Sequence, residues 1–83
     1  MEFKKHVQVR KEKFGTVIFE TLEEKVFVTN PTGAEIIERL RDKKTPDTII
    51  TELAEQYGVD AGTIADDVNC FITSLVRQNV LVE

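Results

Sequence analysis

Apolar and polar positions change rhythm once along this chain. Up to Thr29 they alternate or gather in short blocks; from Pro31 onward they recur at the three-to-four spacing of helices. From His6 to Arg10, Val7 and Val9 fall on one face and His6, Gln8 and Arg10 on the other, which predicts a half-buried strand. Lys11, Glu12 and Lys13 read as a polar turn. Phe14 to Thr21 reads as a second strand, with Val17, Ile18 and Phe19 in succession and Gly15 as a candidate bulge. Leu22, Glu23 and Glu24 supply the next turn, and Lys25 to Thr29, with Val26, Phe27 and Val28 at its centre, forms a third strand. Connections this short predict an antiparallel meander.

Asn30-Pro31 then starts a helix, since Asn caps well and Pro at the first helical position lacks only an N–H that would be unpaired there. This first helix runs to about Arg41, with Ala34, Ile37 and Leu40 along one face and Ile36 beside them. Thr45-Pro46 repeats the start signal. The second helix carries Ile49, Ile50, Leu53, Ala54 and Tyr57 in one stripe and ends at Gly58. Asp60 caps a third helix over about 61–78, whose stripe is Ile64, Val68, Phe71, Ile72, Leu75 and Val76. Asn79 ends it in the role usually given to Gly, and Val80, Leu81 and Val82 form an apolar tail able to pack back on the core. Residues 1–6 read as a flexible arm. The fold class is therefore α+β: a three-stranded antiparallel β-meander followed by three α-helices, in a single domain over residues 1–83.

Charge refines this picture. The formal net charge is −4, but residues 1–13 hold five basic and two acidic groups, whereas residues 45–83 hold one and seven. A basic arm ahead of acidic helices argues against a nucleic-acid footprint, which gathers Lys and Arg on the helical part. Cys70 is the only cysteine, so an intrachain disulfide is excluded and a reducing cytoplasmic setting is the default. No apolar run approaches the ~18 residues of a membrane span.

Catalytic constellations are missing from the sequence. His6 lies far from Cys70 along the chain, and a Cys on an apolar-striped helix reads first as a small buried hydrophobe. One Cys and one His are too few for a zinc site, the four glycines form no phosphate-cradling loop, and the neighbours Asp66 and Asp67 point ~100° apart on a helix. The expectation is a non-enzyme without cofactor or metal.

The segment Thr29-Asn30-Pro31-Thr32-Gly33-Ala34-Glu35-Ile36-Ile37 resembles the Leu-Asn-x-Thr-Ala-x-x-Ile-Leu junction of PqqD-like proteins. Thr45 to Leu53 is similar to that family's Thr-Val-x-Glu-Ile segment, and Asp67-Val68-Asn69-Cys70-Phe71-Ile72-Thr73-Ser74-Leu75 to its Asp-Val-x-x-Phe-Leu-x-x-Leu signature. Asn79-Val80-Leu81 stands where the family has Gly-Leu-Leu or Gly-Leu-Ile. The resemblance spans about residues 7–82. It departs at Thr29, Gly33 and Asn79, where the family usually has Leu, Ala and Gly.

The resemblance implies a winged-helix-like arrangement and a role as a peptide recognition element for ribosomally made, modified peptides, as in pyrroloquinoline quinone biosynthesis. Such a protein binds the leader of a precursor peptide as an added strand, in a groove walled by the third helix, and presents it to a radical S-adenosylmethionine enzyme. Carried onto this chain, the peptide site is the strand Val26, Phe27, Val28 and Thr29 facing Asp67, Val68, Cys70, Phe71 and Ser74. The residues themselves agree with an open edge, because the third strand holds no Pro and only Lys25 as a guard charge. The partners expected are the precursor peptide and a radical maturation enzyme, with no nucleic acid or membrane, for a monomer or weak dimer. The competing reading is a winged-helix DNA-binding regulator, which the acidic third helix disfavours.

Overall fold

The computed structural model describes residues 2–82. Its elements run β1 (Glu2–Phe3), β2 (Val7–Glu12), β3 (Gly15–Glu20), β4 (Lys25–Thr29), α1 (Pro31–Arg41), α2 (Pro46–Tyr57), α3 (Ala61–Arg77) and β5 (Leu81–Val82). Strands β2, β3 and β4 form the expected antiparallel meander with β3 in the middle. Central placement explains the run Val17-Ile18-Phe19: Ile18 is fully buried against the helices while Val17 and Phe19 are half-buried on the outer face.

The first turn is tighter than the sequence suggests. Lys11 and Glu12 stay in β2, paired with Thr16 and Gly15, so only Lys13 and Phe14 connect the strands. No bulge occurs at Gly15, since the register runs unbroken from Val7↔Glu20 to Glu12↔Gly15. The glycine serves close approach instead: at φ 151° a Cβ there would lie 1.9 Å from the Thr29 carbonyl oxygen. The second turn is organised by a buried acid. Glu20, 1% exposed, accepts from the backbone N–H groups of Leu22 (2.8 Å) and Glu23 (3.1 Å), and His6 Nε2 lies 2.9 Å from its Oε1. A carboxylate can be buried here because its oxygens meet donors.

All three helix starts use the caps read from the sequence. Asn30, Thr45 and Asp60 accept from Gly33, Thr48 and Gly62 N–H at 2.8, 3.2 and 3.0 Å. All three ends share one geometry, with a left-handed residue after the helix: Lys43 (φ 63°), Gly58 (φ 64°) and Asn79 (φ 65°). At Asn79 the paired bonds Val80 N–H to Leu75 O (2.9 Å) and Asn79 N–H to Val76 O (3.1 Å) complete a Schellman motif. Asn is the side chain that best tolerates this backbone after Gly, which accounts for its standing in a usual Gly position.

Residues 2–6 do not form a loose arm. Glu2 and Phe3 pair with Val82 and Leu81 as a separate two-stranded sheet, and the Lys4 N–H donates to Val80 O at 3.0 Å. The tail itself folds onto the core, with Val80 and Leu81 at 0% and 1% exposure, and so provides the surface that holds the N-terminus. The core joins Ile18 to Ile36, Ile37 and Leu40 of α1, Ile49 and Leu53 of α2, and Ile64, Val68, Ile72 and Leu75 of α3. Each such side chain, fully buried, contributes roughly 1.5–3 kcal/mol. Helix α1 lies on β3, and α2 packs on α3. Across α1 and α2, Glu52 is bridged by Arg39 (2.8 Å) and Lys44 (2.9 Å), and Glu35 is held by Gln56 and by the Tyr57 hydroxyl. None of the described helices is long and apolar enough to cross a membrane.

Candidate functional site

Strand β4 is an edge. It pairs with β3 on one side, and among the described residues no strand lies on the other. The N-terminal strand, a candidate cover for this edge, is occupied with β5. Along β4 the side chains alternate: Val26 and Val28 stand out at 59% and 64% exposure, Phe27 is half-buried toward the helices, and Thr29 is 9% exposed.

Two contacts fix α3 beside this edge. At the start of β4, Lys25 Nζ donates to Gln78 Oε1 at 3.3 Å. At its end, a Cβ on Gly33 would lie 2.9 Å from the Thr29 Cβ and 3.2 Å from Phe71 Cε1, so Thr29, Gly33 and Phe71 pack together. Helix α3 therefore runs opposite to β4, with Gln78 at one end and Phe71 at the other. Asp67, Phe71, Ser74 and Gln78, spaced four, three and four apart, share the side of α3 toward the edge, and Cys70 sits next to them. Two shallow depressions adjoin these residues. Asn30, Thr32, Gly33, Ile36, Asp67 and Phe71 line one of about 340 Å³; Asn69, Cys70, Thr73, Ser74, Arg77 and Gln78 line the other, of about 560 Å³.

The structure thus gathers Val26, Phe27, Val28 and Thr29 opposite Asp67, Cys70, Phe71 and Ser74, with Asp67, Cys70 and Ser74 exposed and Phe71 half-buried. Val68 belongs elsewhere. At 1% exposure it is part of the core cluster and offers no surface along the edge. Lys25, Gly33 and Gln78 were not among the residues picked from the sequence. The Lys25–Gln78 contact joins residues far apart in the chain, and only the antiparallel course of α3 brings them together.

The departures at Thr29 and Gly33 explain each other. The Thr29 hydroxyl accepts from Thr16 N–H (3.1 Å) and donates to Thr16 O (3.3 Å), so it is satisfied although buried. Its β-branched carbon occupies the space that a side chain at position 33 would need. The guard charge is also engaged: Lys25 Nζ lies 2.5 Å from Glu23 Oε2. The Lys25 hydrogen bond, helped by its positive charge, holds the Glu23 carboxyl below its usual pKa. Asp66 and Asp67 both stand exposed on α3, which sets a repulsive face toward phosphate. His6 faces Glu20 rather than Cys70, and among the described residues no cluster suited to a metal ion occurs.

These elements define a small α+β domain with an unpaired strand edge flanked by a helix. Residues 15–81 match the family model of coenzyme PQQ synthesis protein D (PqqD), and the chain belongs to that family. Two solved structures share the fold. TbiB1 in complex with the TbiA(beta) leader peptide superposes with a TM-score of 0.92 at 22% identity, covering 98% of this chain and 94% of that one. Lasso peptide synthetase B1 complexed with the leader peptide gives 0.91 at 22% identity, covering 99% and 96%. No curated protein matches the chain.

Proposed function

We propose that this chain is a non-catalytic adaptor that binds the leader of a ribosomally made precursor peptide as a strand added to β4, and presents it to a radical S-adenosylmethionine maturation enzyme in the cytoplasm. The whole chain acts as one peptide-recognition domain. The observation that carries this reading is the open β4 edge with α3 running alongside it. Backbone N–H and C=O groups on such an edge supply affinity, and the side chains around it supply specificity. Membership in the PqqD family supports the reading, as does the shared fold with two proteins whose structures contain leader peptides.

The peptide site consists of the β4 backbone over residues 26–29, with Phe71 at the floor and Asp67, Cys70 and Ser74 along the wall. The test is a titration of isotope-labelled protein with its precursor peptide. Amide signals of residues 25–30 and 67–75 should shift together. Shifts confined to other residues would overturn the assignment.

A further inference from the structure

The groove uses the helix-facing side of β4 and leaves its outer side unexplained. Val26 and Val28 are both more than half exposed, and their register partners Phe19 and Val17 continue the same face on β3. Four apolar side chains therefore form a strip across the outer sheet that ends, uncovered, at the open edge. Exposed apolar groups on an edge strand invite pairing and association. An added strand places every second side chain on this outer face, ~4.5–5.5 Å from the residue opposite it. Apolar residues opposite Val26 and Val28 would cover the strip where it is bare.

The intervening side chains fall on the helix side. There the residue opposite Thr29 would point toward the depression that Asp67 shares with Asn30, Gly33 and Phe71, since Gly33 and Phe71 pack against Thr29. Asp67 has no cation within ion-pair distance among the described residues. The sheet is antiparallel throughout, and antiparallel pairing is slightly the more stable per residue, so the added strand runs opposite to β4.

We infer that the leader is read from both faces of the added strand, as basic, apolar, any residue, apolar in N-to-C order. The Lys or Arg stands opposite Thr29 and pairs with Asp67; the two apolar residues stand opposite Val28 and Val26 on the outer face. This rests on the leader-binding reading of the β4 edge and adds to it the chemistry of the ligand.

Random peptides displayed on phage and selected on the full chain test it, with parallel selections on V26T/V28T and D67N, which alter exposed side chains only. The parent chain should enrich the four-residue pattern. V26T/V28T should lose the apolar pair and keep the basic residue; D67N should do the reverse. In a selected peptide, changing both apolar residues to Ser should weaken binding to the parent about tenfold and to V26T/V28T by much less. Enrichment without the pattern, or an apolar pair equally enriched on V26T/V28T, would overturn the inference. Mapping the selected peptides by NMR separates the two levels. Peptides that perturb residues 25–30 without the pattern contradict this inference alone, whereas peptides that leave those residues still contradict the leader-binding reading as well.

Discussion

The hydroxyl of Thr29 closes a two-way bond with the backbone of Thr16, accepting its N–H at 3.1 Å and donating to its carbonyl at 3.3 Å. The pair ties the last residue of the edge strand to the central strand just where α1 begins. Thr29→Val keeps the shape and removes both side-chain bonds. Its expected cost is about 1–3 kcal/mol in urea-induced unfolding. Thr29→Ser keeps the hydroxyl and should fall closer to the parent. Equal stability of the parent and the Val variant would count against this role.

Gly33→Ala should destabilise, against the usual gain of ~1 kcal/mol for Ala over Gly in a helix. The added Cβ would stand 2.9 Å from Thr29 Cβ and 3.2 Å from Phe71 Cε1, so one of them must move. Overpacking of this kind costs roughly 1–3 kcal/mol. Because the proposed peptide site has Phe71 at its floor, peptide affinity should fall as well. Thermal unfolding and peptide titration check the two effects separately, and a more stable variant would refute the packing argument.

Much of this architecture was legible in the sequence, for reasons that differ by element. The helix starts were clear because Asn30-Pro31, Thr45-Pro46 and Asp60 act through local capping. The meander was clear because its turns are short. Val68 was misplaced in the groove because an apolar stripe gives a helix face and not which part of that face meets which neighbour. The order of residues 2–6 was invisible, since it depends on the tail from Val80 to Val82 returning to pair with it. Glu20 was unreadable for the same reason: nothing local shows that its carboxylate turns inward to hold the next turn.

Glu20 therefore offers a third test. Glu20→Ala removes the acceptor for Leu22 and Glu23 N–H and the partner of His6, and should cost about 3 kcal/mol, given ~1.5–3 kcal/mol for each hydrogen bond to a charged group. Glu20→Gln keeps one acceptor oxygen and should lose less. Equilibrium unfolding orders the three proteins, and a variant as stable as the parent would show the buried carboxylate to be dispensable.

The α1–α2 clamp predicts an acid response. The Tyr57 hydroxyl, followed by Gln56, lowers the Glu35 carboxyl pKa below its ordinary 4.5, and hydrogen bonds from Lys44 and then Arg39 lower that of Glu52. A carboxyl lowered by folding adds stability above its unfolded value, and that contribution is lost as pH falls through the folded value. Stability should thus decline below about pH 4.5, modestly because both groups face solvent and salt screens them. Glu35→Gln and Glu52→Gln should each flatten this acid limb in unfolding experiments run across pH. Unchanged slopes would show that the clamp adds nothing.

In the proposed function a peptide strand pairs with the free edge of β4. Amide hydrogen exchange of the full chain, with and without its precursor peptide at saturating concentration, tests it most directly. Exchange within residues 25–29 should slow on peptide addition, with protection or shifts along α3 from Asp67 to Gln78. Bound peptide with β4 amides exchanging at their free rate would contradict it.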